Sequence, residues 1–162
     1  MEKTAYFAGG CFWCITPIFV ARGAKKVTAG YCGGEEKDAY YKAVKSQTTG
    51  HRETIAITYD EDRISYDKLL QIFLANIDPY DEGGQFIDRG PSYTTAIYYN
   101  DETEKEKALK AIKNLETKTG KSVMVKVEPF KSFYEAEEEH QDYYLKNPEA
   151  FEEELIQSGR KK

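Results

Sequence analysis

What this chain has least of narrows its chemistry before any motif is read. It carries three cysteines, two histidines, two methionines and one tryptophan in 162 residues. An odd count of thiols is no disulfide framework, and in a reducing compartment it points to catalysis or metal binding. Basic residues are also in deficit. The 23 Lys and Arg against 28 Asp and Glu give a net charge of −5, whereas a nucleic-acid backbone calls for a basic face. The short basic patches, Lys25-Lys26 and Arg160-Lys161-Lys162, read as solvated surface. No stretch approaches the ~18 apolar residues of a membrane-spanning helix, and Met1-Glu2-Lys3-Thr4 runs into a strand without an apolar leader core. A cytoplasmic protein is expected, with neither nucleic acid nor membrane as partner. Repeats and low-complexity linkers are absent, and 40% hydrophobic content suits one domain over residues 1–162. A variable charged tail is expected at about 149–162.

Aromatic residues are plentiful, 14% of the chain and thirteen of them Tyr, so some phenols are expected to serve a pocket as polar groups. Strands are expected at 4–8, 27–31, 53–59, 94–99 and 124–127, each rich in β-branched or aromatic residues. Helical spacing appears at 12–21, at 65–76 through Leu69, Leu70 and Phe73, and at 102–119 through Ala108, Ala111, Ile112 and Leu115. Asp101 and Gly120 punctuate the third helix, and Asn147-Pro148 suits the opening of a last short one. Alternation of strands and helices implies a two-layer α+β domain with a mixed sheet. Residues 77–93 form a long connection of the kind that is functional when ordered.

The most informative segment is Gly9-Gly10-Cys11-Phe12-Trp13-Cys14, placed where the first strand hands over to a helix. Unpaired N–H groups and the helix dipole favour a thiolate there, so Cys11 is the candidate nucleophile. Cys14, at i+3, shares its helical face and lies within reach of a disulfide. Three other readings stay open at this point. The two thiols can be small buried hydrophobes. Cys11, Cys14, Cys32 and His51 have the ligand types of a zinc site. A general disulfide reductase also uses Cys-x-x-Cys, although Trp usually precedes the first Cys in such proteins, and Trp13 lies inside the pair.

Further motifs follow in order: Gly30-Tyr31-Cys32-Gly33-Gly34, Tyr41, Gly50-His51-Arg52-Glu53, Asp78-Pro79, Asp88-Arg89-Gly90, Tyr93 and His140-Gln141 through Asn147-Pro148. Together with Gly10-Cys11-Phe12-Trp13 they resemble the peptide methionine sulfoxide reductase A family over about residues 4–148. The resemblance implies a ferredoxin-like plait with additional helices and long loops, and reduction of the S epimer of methionine sulfoxide, free or in proteins, without metal or organic cofactor. It matches Cys11 to the nucleophile, Glu53 to the acid, Tyr41 and Tyr93 to two phenol donors, and Asp88 to a substrate-loop Asp. A carboxyl beside Phe12 and Trp13 should have a raised pKa and keep its proton. Phe12 and Trp13 would wall in the substrate's S-methyl group. Thioredoxin or a similar dithiol is the implied reductant, acting on a monomer.

Departures from the family pattern bear on recycling and on the substrate loop, where Asp38-Ala39, Phe86-Ile87 and Ser92 differ from the usual residues. No Cys follows Cys32, the position after Trp13 is Cys14 where Gly is usual, and Thr16 stands where Glu is common. Cys14 is therefore the expected partner of Cys11. Cys32 would reach the site only if its Gly-rich loop folded over it. His51, His140 and Gln141 are read as structural.

Overall fold

The protein is described by a computed structural model covering residues 1–157. In chain order the elements are β1 (Glu2–Gly9), α1 (Phe12–Ala21), β2 (Lys26–Cys32), α2 (Tyr41–Lys45), β3 (Arg52–Asp60) and α3 (Tyr66–Ala75). Then come β4 (Gly84–Gln85), β5 (Asp88–Arg89), β6 (Thr95–Tyr99), α4 (Glu102–Thr119), β7 (Lys126–Pro129), β8 (Phe133–Glu135), α5 (Tyr143–Lys146) and α6 (Pro148–Gln157). Six strands form one sheet in the order β7-β6-β1-β3-β2-β8, antiparallel throughout except for β6 and β7. Within it, β1-α1-β2-β3-α3-β6 makes the ferredoxin-like split βαβ arrangement. The α4–β7 unit extends one edge and β8 the other.

Local chemistry accounts for the helices. Ser65 caps α3 by accepting from Lys68 N–H at 3.1 Å, and Leu69, Leu70 and Phe73 bury one face. Asp101 caps α4 by accepting from Glu104 N–H at 2.8 Å, and Gly120 ends it at φ +72°, a conformation that suits glycine. The apolar residues of α1, α3 and α4 cover one face of the sheet with Phe7, Tyr31, Ile55, Ile57, Tyr59 and Ile97. The opposite face holds a small second cluster of Ala8, Cys32, Ala96 and Tyr98, flanked by Tyr6, Phe130 and Phe133. Strand alternation decides which side chain goes to which layer.

The expected elements are present, with differences at the edges. Strand β7 begins two residues later than the composition suggests, because Met124 N–H donates to the Pro79 carbonyl at 2.7 Å and ties that stretch to the long connection. The connection itself is ordered by Gln85, fully buried, whose amide donates to Asp78 C=O at 2.7 Å while its carbonyl accepts from Asp78 N–H at 2.8 Å. Helix α6 begins at Pro148 as expected, and residues 158–162 of the expected tail lie outside the described residues.

Candidate active site

The turn between β1 and α1 sets the site. Gly10 has φ +88°, and a Cβ on Gly9 would stand 2.8 Å from Ile15 Cδ1 and 2.9 Å from a Phe73 ring carbon. Glycine at both positions lets the chain reverse sharply beneath α3. Cys11 follows as the N-cap of α1, with no side-chain hydrogen bond to the helix, so its sulfur is free of capping duty. Cys14 N–H donates to Cys11 C=O at 3.1 Å, and the two thiols share a hydrogen bond. Both are buried.

The helix-start argument for a resting thiolate at Cys11 is outweighed here. The hydrogen bond with Cys14, then burial, then the negative potentials of Cys14, Glu53 and Asp88 push the Cys11 thiol well above its usual range. Cys11 is held as a thiol that must lose its proton to react.

Glu53 opens the inward-facing series on β3 and is 2% exposed. Its Oε1 accepts from Phe12 N–H at 3.2 Å, taking up one of the unpaired donors at the start of α1. Burial pushes its pKa up to about 8, with Asp88 and Cys14 adding to the rise against the pull of the Phe12 hydrogen bond and Lys45. At neutral pH the carboxyl is protonated and can donate. Tyr41 and Tyr93 are brought to it from separate elements. Gln47, just after α2, accepts from Ser92 N–H at 2.8 Å and donates to Ser92 Oγ at 2.8 Å, locking the two loops together. The Tyr41 and Tyr93 hydroxyls lie close enough for each to influence the ionisation of the other. Burial, then nearby Glu53, raises both phenols far above their ordinary range, so both keep their protons. Asp88, half-buried on β5, adds negative potential at Cys11, Glu53, Tyr41 and Tyr93 alike.

The two rings of the aromatic wall differ in burial. Phe12 has no exposed surface and sits 5.8 Å from the Tyr31 ring. The half-buried Trp13 is the outward ring. It stacks on Tyr143 at 4.1 Å and on Tyr41 at 6.1 Å, and its indole N–H donates to His140 Nδ1 at 3.1 Å. His140 also packs on Tyr41 at 4.3 Å. Sequence reasoning treated His140 as structural and passed over Tyr143. Their distance of more than 120 residues from Trp13 gave no local signal, although the His140-Gln141 match was a pointer.

Four ligands for zinc do not converge. Cys32 lies on the opposite face of the sheet, and His51 uses Nδ1 to accept from Gly34 N–H at 3.2 Å and Nε2 to donate to Glu35 C=O at 2.8 Å. Among the described residues, the one group of three potential ligands is Glu137, Glu139 and His140, with ligand atoms within 4.8 Å of one another. The Trp13 donor at Nδ1 leaves the proton of neutral His140 on Nε2, the nitrogen a metal would need.

Comparison with known proteins converges on one family. Residues 3–162 match the model of a family described as peptide methionine sulfoxide reductase. The chain is 44% identical over 166 residues to peptide methionine sulfoxide reductase MsrA of Halalkalibacterium halodurans, covering 99% of this chain and 94% of that one. It is 45% identical over 165 residues to the MsrA of Bacillus subtilis, covering 98% and 92%. Among solved structures, reduced Mxr1 from Saccharomyces cerevisiae superposes with a TM-score of 0.86 at 27% identity, over 91% of this chain and 87% of that one. On sequence and fold alike, the chain belongs to the peptide methionine sulfoxide reductase family.

Proposed function

We propose that this enzyme reduces the S epimer of methionine sulfoxide, free or in proteins, through Cys11, Glu53, Tyr41 and Tyr93. The observation that carries the reading is a buried carboxyl, kept protonated at neutral pH, beside two protonated phenols and a thiol. A sulfoxide is a poor electrophile until its oxygen is protonated or strongly hydrogen-bonded, and these three donors supply that. The Cys11 sulfur attacks the sulfoxide sulfur as its proton passes to the sulfoxide oxygen; that oxygen is then transferred to Cys11 as the S–O bond and the transient bond between the two sulfurs break, so methionine departs and Cys11 is left as a sulfenic acid. Asp88 orients the substrate backbone or a phenol, and Trp13, backed by Phe12, packs against the S-methyl group.

The Cys14 thiol then condenses with the sulfenic acid, forming the Cys11–Cys14 bond and releasing water. Contact between the two thiols supports Cys14 in this role, and the position of Cys32 behind the sheet argues against it as an alternative. Thioredoxin or a similar dithiol would reduce the bond and take its place as a disulfide. The reading needs only a monomer, since one copy supplies every group named, and three cysteines used as free thiols suit the reducing cytoplasm. A coupled assay on the two epimers tests it. Turnover confined to the S epimer is expected, and comparable turnover of the R epimer, or reduction of insulin disulfides alone, contradicts it.

A further inference from the structure

Helix α2, which begins with Tyr41, has no side-chain cap of its own. Its first N–H is taken up from 96 positions away in the chain. Glu137 Oε2 accepts from Tyr41 N–H at 3.0 Å, and Glu137 Oε1 accepts from Tyr31 OH at 2.9 Å. Tyr31 is fully buried, lies directly across the ladder from Glu53, and packs on Phe12. One carboxylate therefore joins the start of α2 to the strand pair that carries the acid.

The backbone around Glu137 is itself fixed. Ala136 N–H donates to Ala29 C=O at 2.9 Å. The Gln141 amide brackets Ala29 from both sides, its carbonyl accepting from Ala29 N–H at 2.8 Å and its NH2 donating to Ala29 C=O at 2.9 Å and to Ala136 C=O at 2.9 Å. Residues 136–141 thus continue the sheet edge beyond β8 and present Glu137 to α2 and His140 to Trp13. A carboxylate at a helix start, receiving a charge-assisted hydrogen bond, orients the first turn better than solvent does.

We propose that Glu137 is a positioning residue for Tyr41: by accepting from the Tyr41 N–H and the Tyr31 hydroxyl it holds the Tyr41 phenol against Tyr93 and Glu53. The inference rests on the reading of Tyr41 as a donor to the sulfoxide oxygen. Glu137 touches no reacting atom, and its effect passes through the placement of α2. Misplacement of a donor by about 1 Å costs up to about 100-fold in rate.

The experiment compares Glu137→Ala, Glu137→Gln and the parent enzyme, each with Tyr41 intact and as Tyr41→Phe. Single-turnover reduction of methionine sulfoxide gives the rate, and emission of the single tryptophan, Trp13, gives a second readout because that ring stacks on Tyr41. Glu137→Ala is expected to lower the single-turnover rate by up to about 10-fold, no more than loss of the Tyr41 hydroxyl itself, with little change in KM, and to lower it by less than about threefold when Tyr41 is already Phe. Glu137→Gln, which keeps an acceptor for the Tyr41 N–H, should recover part of the rate. Trp13 emission should shift in Glu137→Ala. Equal losses in both backgrounds, or an unshifted emission, overturn the proposal. A parent enzyme inert toward sulfoxide overturns the functional reading instead, and the Trp13 emission still decides the role of Glu137.

Discussion

The two faces of the central sheet use neighbouring residues for opposite ends. On β3, Arg52 and Glu53 are consecutive. Glu53 shares the helix-layer side of β3 with Ile55 and Ile57, forms no ion pair among the described residues, and keeps its proton. Arg52 points the other way, where its guanidinium donates to Glu128 at 2.9 Å, Tyr98 OH at 2.9 Å and Thr94 Oγ1 at 2.8 Å. On β2 the same split separates Tyr31, which braces the site, from Cys32, whose thiol burial pushes up to about 12. A buried charge that is paired becomes structure. A buried carboxyl left without a cation becomes an acid poised near neutrality. Concavity does not mark the difference, since a cavity of about 290 Å³ beside Gly33, Tyr98 and Glu128 lies on the face away from Cys11.

Substitutions on the helix face should cost rate, and those behind the sheet should cost stability alone. The largest effect belongs to Cys11→Ser, for which sulfoxide reduction should fall below detection. Cys14→Ser should release about one methionine per enzyme in a burst and then stall with thioredoxin. Sustained turnover of either variant breaks the contrast. Glu53→Gln comes next, with a fall of about 10²- to 10⁴-fold in single-turnover rate, the scale of general acid catalysis. Its pH profile sharpens the point. The parent rate should climb with pH as Cys11 ionises and level off near pH 8, where Glu53 loses its proton, whereas Glu53→Gln should keep climbing from its low level.

The same group sets a stability signature. The folded value of about 8 lies above the ordinary 4.5, so the native state holds a proton that the unfolded chain releases between those values. Its contribution is therefore full below pH 4.5 and is lost as pH rises through about 8. Urea midpoints should fall across that window for the parent and fall less for Glu53→Gln. Smaller rate effects belong to Tyr41→Phe and Tyr93→Phe, each about 10-fold and together less than the product, because both donate toward one oxygen. The smallest belongs to Cys32→Ala, whose thioredoxin-dependent turnover should stay within about twofold of the parent while its urea midpoint drops. A drop in turnover matching that of Cys14→Ser would dissolve the distinction between the faces.

Much of this division was legible in the chain. Periodicity in α1, α3 and α4, with Asp101 and Gly120 at the ends of α4, set those helices to within a residue. The Gly9-Gly10-Cys11 turn was readable because two glycines before a helical pattern permit few other geometries. Strands of three or four residues such as β8, and the single turn of α2, carry too few side chains for periodicity to register. The resting state of Cys11 was misread because a helix start is a local property and burial beside Cys14, Glu53 and Asp88 is not. His140 and Tyr143 escaped for the same reason: their meeting with Trp13 depends on how the chain beyond β8 folds back over α1.

On this reading, reaction and recycling both occur on the helix face, between Cys11 and Cys14. Peptide mass mapping of the enzyme after treatment with the S sulfoxide and no reductant tests it most directly. A Cys11–Cys14 disulfide with Cys32 still alkylatable after unfolding is the predicted result. A Cys11–Cys32 bond, or Cys11 recovered as an unmodified thiol after one methionine has been released, would contradict the account.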